Sequence, residues 1–157
     1  MRTRIWLLLS IAVLLRALVP GEEALVWALL DDAALPIEDL NESAVAFVVA
    51  TDGEHLLGAI GLEMFEDVGL LRSLVVRSSD RGAGLGGRLV EALEAHARGL
   101  GLRQLVLLTQ TAAPFFASRD YHVIDRKSAP APVLGSAEFR SICPASATCM
   151  TKYLDQE

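Results

Sequence analysis

The run Arg81-Gly82-Ala83-Gly84-Leu85-Gly86-Gly87 constrains this chain more than any other stretch, because of what flanks it. Before it comes Val68-Gly69-Leu70-Leu71-Arg72-Ser73-Leu74-Val75-Val76, whose β-branched end reads as a buried strand. After it, Leu85, Leu89, Ala92, Leu93 and Ala97 fall on one helical face. A strand, a tight turn and a helix in that order leave the first N–H groups of the helix unpaired and facing the loop. Glycine at 82, 84 and 86 lets the backbone bring those amides close to a ligand. Together with the positive pole of the helix, they make the loop a cradle for pyrophosphate.

Two familiar nucleotide cradles do not fit. A dinucleotide-binding fingerprint needs Gly-x-Gly-x-x-Gly in an N-terminal βαβ unit, whereas this loop lies mid-chain with the spacing Arg-x-x-Gly-x-Gly. A Walker A loop ends in Gly-Lys-Ser/Thr, and Gly86-Gly87-Arg88 does not.

At 157 residues the chain is read as one domain over 11–157, with residues 1–10 as an N-terminal extension or a mistaken start. Arg2 and Arg4 before the apolar run Ile5–Leu15 outline a signal peptide, but no small-x-small cleavage site follows and Arg16 ends the run. That run is also short of the roughly 20 residues a membrane span needs. A cytoplasmic protein without a membrane partner is expected. A net charge of −6 argues against nucleic acid as a partner. Periodicity and turn signals predict a strand at about 11–18, a helix over 22–32 and a short helix from Pro36 through Leu40. Strands follow at 44–51, 56–64 and 68–76, then the glycine loop and a helix to about Gly99. A strand at 103–109, a short helix at 111–118, a strand at 121–125, a helix from Pro130 to near Ser141 and a last strand at 147–154 complete an α+β order.

Arg81, Gly84 and Gly86 occupy the fixed positions of Gln/Arg-x-x-Gly-x-Gly/Ala, so the loop resembles the acetyl-CoA pyrophosphate loop of the GNAT superfamily of N-acetyltransferases. The element order is similar to that superfamily's over nearly the whole chain. The resemblance implies a mixed, mostly antiparallel central sheet with a splayed strand pair and flanking helices. It implies acetyl-CoA as co-substrate, held by the amides of Gly82, Ala83, Gly84, Leu85, Gly86 and Gly87, with Arg81 favouring its charge. Leu74, Val75 and Val76 match the splayed strand that engages pantetheine and polarises the acetyl carbonyl. Transfer would go directly to a small-molecule amine, with no acyl-enzyme and no metal. A homodimer is common in such domains. Phe115–Tyr121 resembles the second motif, Phe-Tyr-x-x-x-Gly-Phe, with two departures. Phe116 replaces the tyrosine that often protonates the leaving thiolate, and Asp120 replaces the glycine, whose left-handed backbone Asp can adopt.

The remaining chemistry is read residue by residue. Glu63 is the candidate general base, on an otherwise uncharged strand; Glu66, beside Asp67, reads as a solvated strand end. Arg72 and Ser73 are polar in an apolar strand. Arg72 either clamps an anionic substrate or meets an acid on a neighbouring element, and the substrate use is favoured, with Ser73 beside it. The acceptor is expected near Glu63, Arg72 and the 130–141 helix, which would close over the site. His55, His96 and His122 have no motif around them. Cys143 and Cys149 read first as small buried hydrophobes, and second as soft donors for trivalent arsenic. The segments 61–63, 68–76, 115–117 and 142–150 are together similar to GNAT acetyltransferases associated with bacterial arsenic-resistance operons, which implies a tie to arsenic detoxification. Two competing functions remain: a non-catalytic acyl-CoA-binding module, given Phe116, and a thiol-based arsenic-responsive protein.

Overall fold

Apolar runs rich in Val, Leu and Ile pair into one sheet, which the computed structural model describes within residues 12–154. Its strands are β1 (Leu14–Ala17), β2 (Val45–Thr51), β3 (Leu56–Phe65), β4 (Val68–Val76), β5 (Gln104–Thr109), β6 (His122–Ile124) and β7 (Thr148–Tyr153). They lie in the order β1-β2-β3-β4-β5-β7-β6, and β4–β5 is the parallel pair among antiparallel neighbours. The helices are α1 (Glu23–Asp32), α2 (Leu85–Gly99), α3 (Ala113–Ala117) and α4 (Ala131–Leu134). This is the α+β arrangement expected. The expected extension at 1–10 lies outside the described residues.

Each face of the sheet has its own cover. Leu85, Leu89, Val90, Leu93 and Ala97 of α2 pack on Ile60, Leu62, Leu71, Leu105 and Leu107. On the opposite face, Val26 and Leu30 of α1 meet Phe47, Val49, Ala59 and Val75. Beside α1 on that face, Val133 and Phe139 of the C-terminal segment cover Val68, Leu70 and Val106.

Two expected helices do not form as such. The Pro36–Leu40 stretch is a series of turns, closed by Leu40 N–H to the Ile37 carbonyl and Glu42 N–H to the Asp39 carbonyl. The helix expected from Pro130 to Ser141 stops after one turn at α4. Gly135 ends it, and the chain re-enters a π-helical turn, Glu138–Ile142, whose Phe139 N–H is held by Ser136 Oγ. Asp120 does adopt the left-handed backbone expected of it, at φ +71°.

β4 and β5 are paired over Val68↔Gln104, Gly69↔Leu105 and Leu70↔Val106. Gly69 permits this close join, since a Cβ there would stand 2.7 Å from Leu62 Cδ1 and 2.8 Å from Leu105 Cδ2. Gly69→Ala is therefore expected to destabilise the protein by about 1–3 kcal/mol through overpacking, read as a lower urea midpoint.

Candidate active site

Beyond Leu70 the parallel strands part, and an irregularity in β4 explains why. On β3, Ala59 opposes Val75 and Gly61 opposes Arg72, so two residues of β4 face Ile60 where one would suffice. Ser73 absorbs the extra length at φ +59°. The bulge swaps the faces of the strand: Leu71 packs toward α2 before it, whereas Leu74 and Val76 do so after it. The β4 edge facing β5 then carries no ladder. A cavity of about 330 Å3 opens there, between residues 71–74 and 107–112. Phe116, the 33–36 turn, Glu138 and Cys143 close its sides.

The glycine loop stands at the end of the same strand. Arg81 Nε donates to the Val76 carbonyl at 2.9 Å, fixing the loop to β4. Gly84 starts α2 at φ +81°, with no side-chain cap and no acid in the first turn. The orphan amides there are neither satisfied by a side chain nor neutralised. At Gly87 the Arg119 guanidinium packs close against the helix start while lying 4.3 Å over the Phe115 ring, so a side chain there would displace it. A groove of about 190 Å3 runs beside the loop, with Arg81 and Arg88 in its wall. The donor set and the positive charge both suit a pyrophosphate.

The substrate-side residues form a buried ionic cluster. Arg72 Nη1 and Nη2 grip Asp39 at 2.7 and 2.8 Å, a bidentate pair. Nη1 also reaches Glu63 at 3.3 Å, while Nε donates to Ser73 Oγ at 3.2 Å and lies 3.3 Å from Glu138. Arg72 therefore meets acids on neighbouring elements, the second of its two readings, and its guanidinium is engaged by the chain itself. Asp39 is the ionic partner proper, held below the usual carboxylate range by Arg72 against the opposing effect of burial. Burial pushes Glu63 up despite Arg72. Glu138 is pushed up to about 7, by burial first and then by repulsion from Asp39 and Glu63, against the pull of Arg72.

Glu63, the expected base, sits behind Arg72 and is not among the residues lining the cavity; Glu138 is. Sequence reasoning placed a covering segment at 130–141 but singled out no residue in it. The signal was a lone acid between Ala137 and Phe139 in a stretch whose neighbours Val133 and Phe139 are buried. Asp39 was missed as well, because Ile-Glu-Asp-Leu looks like an ordinary acidic turn. Of the other expected groups, Leu74 and Ser73 line the cavity, whereas Val75 packs under α1.

Phe116 is buried against the cavity and offers no proton. The hydroxyl of nearby Tyr121 does not replace it, because it donates to Glu94 at 2.8 Å inside the α2 face. The Cys143 thiol is pushed up to about 12, by burial and then by the charge of Glu138, and burial pushes Cys149 up to about 11. Burial thus disfavours the thiolate form of both side chains. Among the described residues, no group of three or more His, Cys, Asp or Glu is arranged to hold a metal ion. No described helix is long and apolar enough to cross a membrane.

The profile of the Acetyltransferase (GNAT) family matches residues 14–122. The chain belongs to this family. A curated relative, the uncharacterized N-acetyltransferase YjcF of Bacillus subtilis (strain 168), is 36% identical over 90 residues, which span 57% of this chain and 64% of that relative. Among solved structures, Rv2747 from Mycobacterium tuberculosis, in complex with CoA, aligns over 90% of this chain and 99% of its own, with a TM-score of 0.76 and 23% identity. N-acetylglutamate synthase from Neisseria gonorrhoeae, complexed with coenzyme A and N-acetyl-glutamate, aligns over 92% of this chain and 35% of its own, with a TM-score of 0.75 and 20% identity. These likenesses are of fold. The family match ends before the π-helical turn that carries Glu138.

The ionic cluster should be visible in stability. Arg72→Met leaves three buried carboxylates without their cation and is expected to cost about 3–5 kcal/mol at pH 7. The deficit should shrink as pH falls and the carboxylates protonate. Glu138 acts on the intact protein in a definite direction. Its folded carboxyl binds a proton more tightly than the unfolded one, whose ordinary value is 4.5, so stability should fall as pH rises from 4.5 to about 7. Denaturant titrations across that window should show the slope in the natural protein and its loss in Glu138→Gln.

Proposed function

We propose that this chain is an acetyl-CoA-dependent N-acetyltransferase that acts on a small-molecule amine by direct transfer. The observation that carries this reading is the continuity between an uncapped glycine-loop helix start and the cavity opened by the parting of β4 from β5. The amides at 82–87, with Arg81, hold the pyrophosphate. The free β4 edge at residues 74–76 engages the pantetheine arm and supplies N–H groups to polarise a carbonyl. Acetyl-CoA supplies an activated acyl group on a thiol leaving group. Cys143 in the wall is held protonated, which favours direct attack by the amine over an acyl-enzyme. Holding both substrates in one small cavity is then the main source of acceleration.

A volume of about 330 Å3 suits a small acceptor rather than a folded protein surface. The similarity to GNAT proteins of arsenic-resistance operons supports a setting in arsenic detoxification, in the cytoplasm. Phe116 does not argue against catalysis, because a thiol with a pKa of about 8.5 leaves readily as thiolate.

The test is acetyl-CoA consumption, read as free thiol release, over a panel of small amines and of amino acids that includes arsenic- and phosphorus-containing analogues. Turnover above the uncatalysed rate is expected for at least one class. Tight acetyl-CoA binding without turnover on the panel would mark a silent acyl-CoA-binding module instead. Gly84→Ala should strain the left-handed start of α2 and weaken acetyl-CoA binding about tenfold or more by calorimetry, since about 1–2 kcal/mol of backbone strain must be met elsewhere.

A further inference from the structure

The ionic cluster around Arg72 is unbalanced. One guanidinium faces Asp39, Glu63 and Glu138, all of them buried. Asp39 takes the bidentate position, and Glu63 lies behind the guanidinium. Glu138 alone of the three carboxylates contributes to the cavity wall, on the β4 side where the strands have parted. The other polar groups facing it are the Cys143 thiol, which shares a hydrogen bond with it, and Arg72 itself. Arg126 approaches from outside, but it is occupied with the carbonyls of Phe139, Cys143 and Pro144 and thereby fixes the turn. Arg72 and Glu138 are the charged residues of the cavity wall, and because Asp39 and Glu63 also press on Arg72, the cluster carries more negative than positive charge where Glu138 meets the cavity.

We propose that Glu138 is the base of this enzyme: it pairs with the ammonium group of the acceptor in the cavity and takes its proton before attack. The inference rests on the reading of the protein as an amine acetyltransferase, and it assigns the base to a residue beyond the family-matched stretch. The balance is simple. One proton passes from R–NH3+ to the Glu138 carboxylate, leaving R–NH2 with a free lone pair. Nitrogen then bonds to the acetyl carbon, the C–S bond breaks with its electron pair on sulfur, and the second nitrogen proton goes to the CoA thiolate. Glu138 returns its proton to solvent, so that R–NH3+ and acetyl-CoA give the acetamide, CoA thiol and one proton. Asp39 and Glu63 act through Arg72 as positioning residues. Their charges keep a proton on Glu138 favourable enough for it to work near neutral pH.

The experiment compares 2-phenylethylamine, which is protonated at neutral pH, with its 2,2-difluoro analogue, which is largely neutral there and needs no base. Glu138→Gln, which removes one of three like charges and should fold, is expected to lower turnover of the first amine by about a hundredfold or more. It should lower turnover of the second far less, with acetyl-CoA affinity unchanged. In the natural enzyme, kcat/KM for the first amine should fall on the acid side with a midpoint near 7. Glu63→Gln should move that limb to lower pH without abolishing it, because it removes a negative charge beside Glu138. Equal losses on both amines, or no loss on either, would overturn the assignment to Glu138; so would disappearance of the acid limb in Glu63→Gln. A natural enzyme that binds acetyl-CoA and acetylates neither probe, nor any amine of the wider panel, would overturn the acetyltransferase reading itself.

Discussion

Four separate parts of the chain converge on the Arg72 guanidinium, and the cavity exists in its present shape because they do. Arg72 belongs to β4, Glu63 to β3, Asp39 to the turns after α1, and Glu138 to the C-terminal π-helical turn. Packing alone would let the C-terminal segment cover the sheet in many ways, since Val133 and Phe139 make a non-directional contact. The guanidinium adds direction, because its fork donates to carboxylates only in fixed positions. Such a cluster is a poor source of net stability, as each ion gives up several kcal/mol of hydration. Its value here is in fixing which residue of the covering turn looks into the cavity.

The second constraint is the bulge at Ser73. A regular β4 would have continued its ladder with β5 past Leu70 and closed the space of the cavity. One inserted residue at φ +59° turns the strand, exposes a backbone edge, and sends Leu74 to the cavity wall. The strain of a non-glycine residue in that region, about 1–3 kcal/mol, is tolerated because β3 pairs with β4 on both sides of it. The same strand thus supplies the ionic anchor, the unpaired edge along the cavity, and the attachment of the glycine loop.

Much of the fold was legible in the sequence because it follows from local patterns. Glycine at 84 and the apolar face of 85–97 specify a strand–loop–helix unit whatever the remainder does, and Asp120 could be read as left-handed because few other residues tolerate that backbone. Two stretches failed where short-range signals compete with tertiary contacts. Pro36 suggested a helix start, but Asp39 is drawn to Arg72 and Ser43 instead. Pro130 and Pro132 suggested one long helix, but Gly135 breaks it and Ser136 restarts the chain with a different pitch. In the candidate site, the strand–glycine loop–helix geometry was legible, because it is set by backbone and glycine. The acceptor half depends on which of several acids lies in front of Arg72 and which behind. Strand alternation brings Glu63 and Arg72 to one face, yet it carries no information about a turn 66 residues after Arg72 in the chain.

The unequal proton demands of the two reactants explain how such a site can lack the family's tyrosine. An alkylamine carries its proton at neutral pH, and the small neutral fraction left in water would slow transfer by orders of magnitude. The thiol that departs has a pKa within about two units of neutrality, so its thiolate needs little help. A single proton acceptor whose pKa lies near 7 therefore does more for this reaction than a proton donor beside sulfur. Phe116 can be given over to packing against Phe115 and Tyr121, with ring centroids 5.1 and 5.4 Å away, without disabling the chemistry. The Tyr121 hydroxyl, in turn, is free to hold Glu94 in the α2 interface. What the protein cannot give up on this account is the imbalance around Arg72, because a second cation that reduced it would also lower the affinity of Glu138 for the proton it must take.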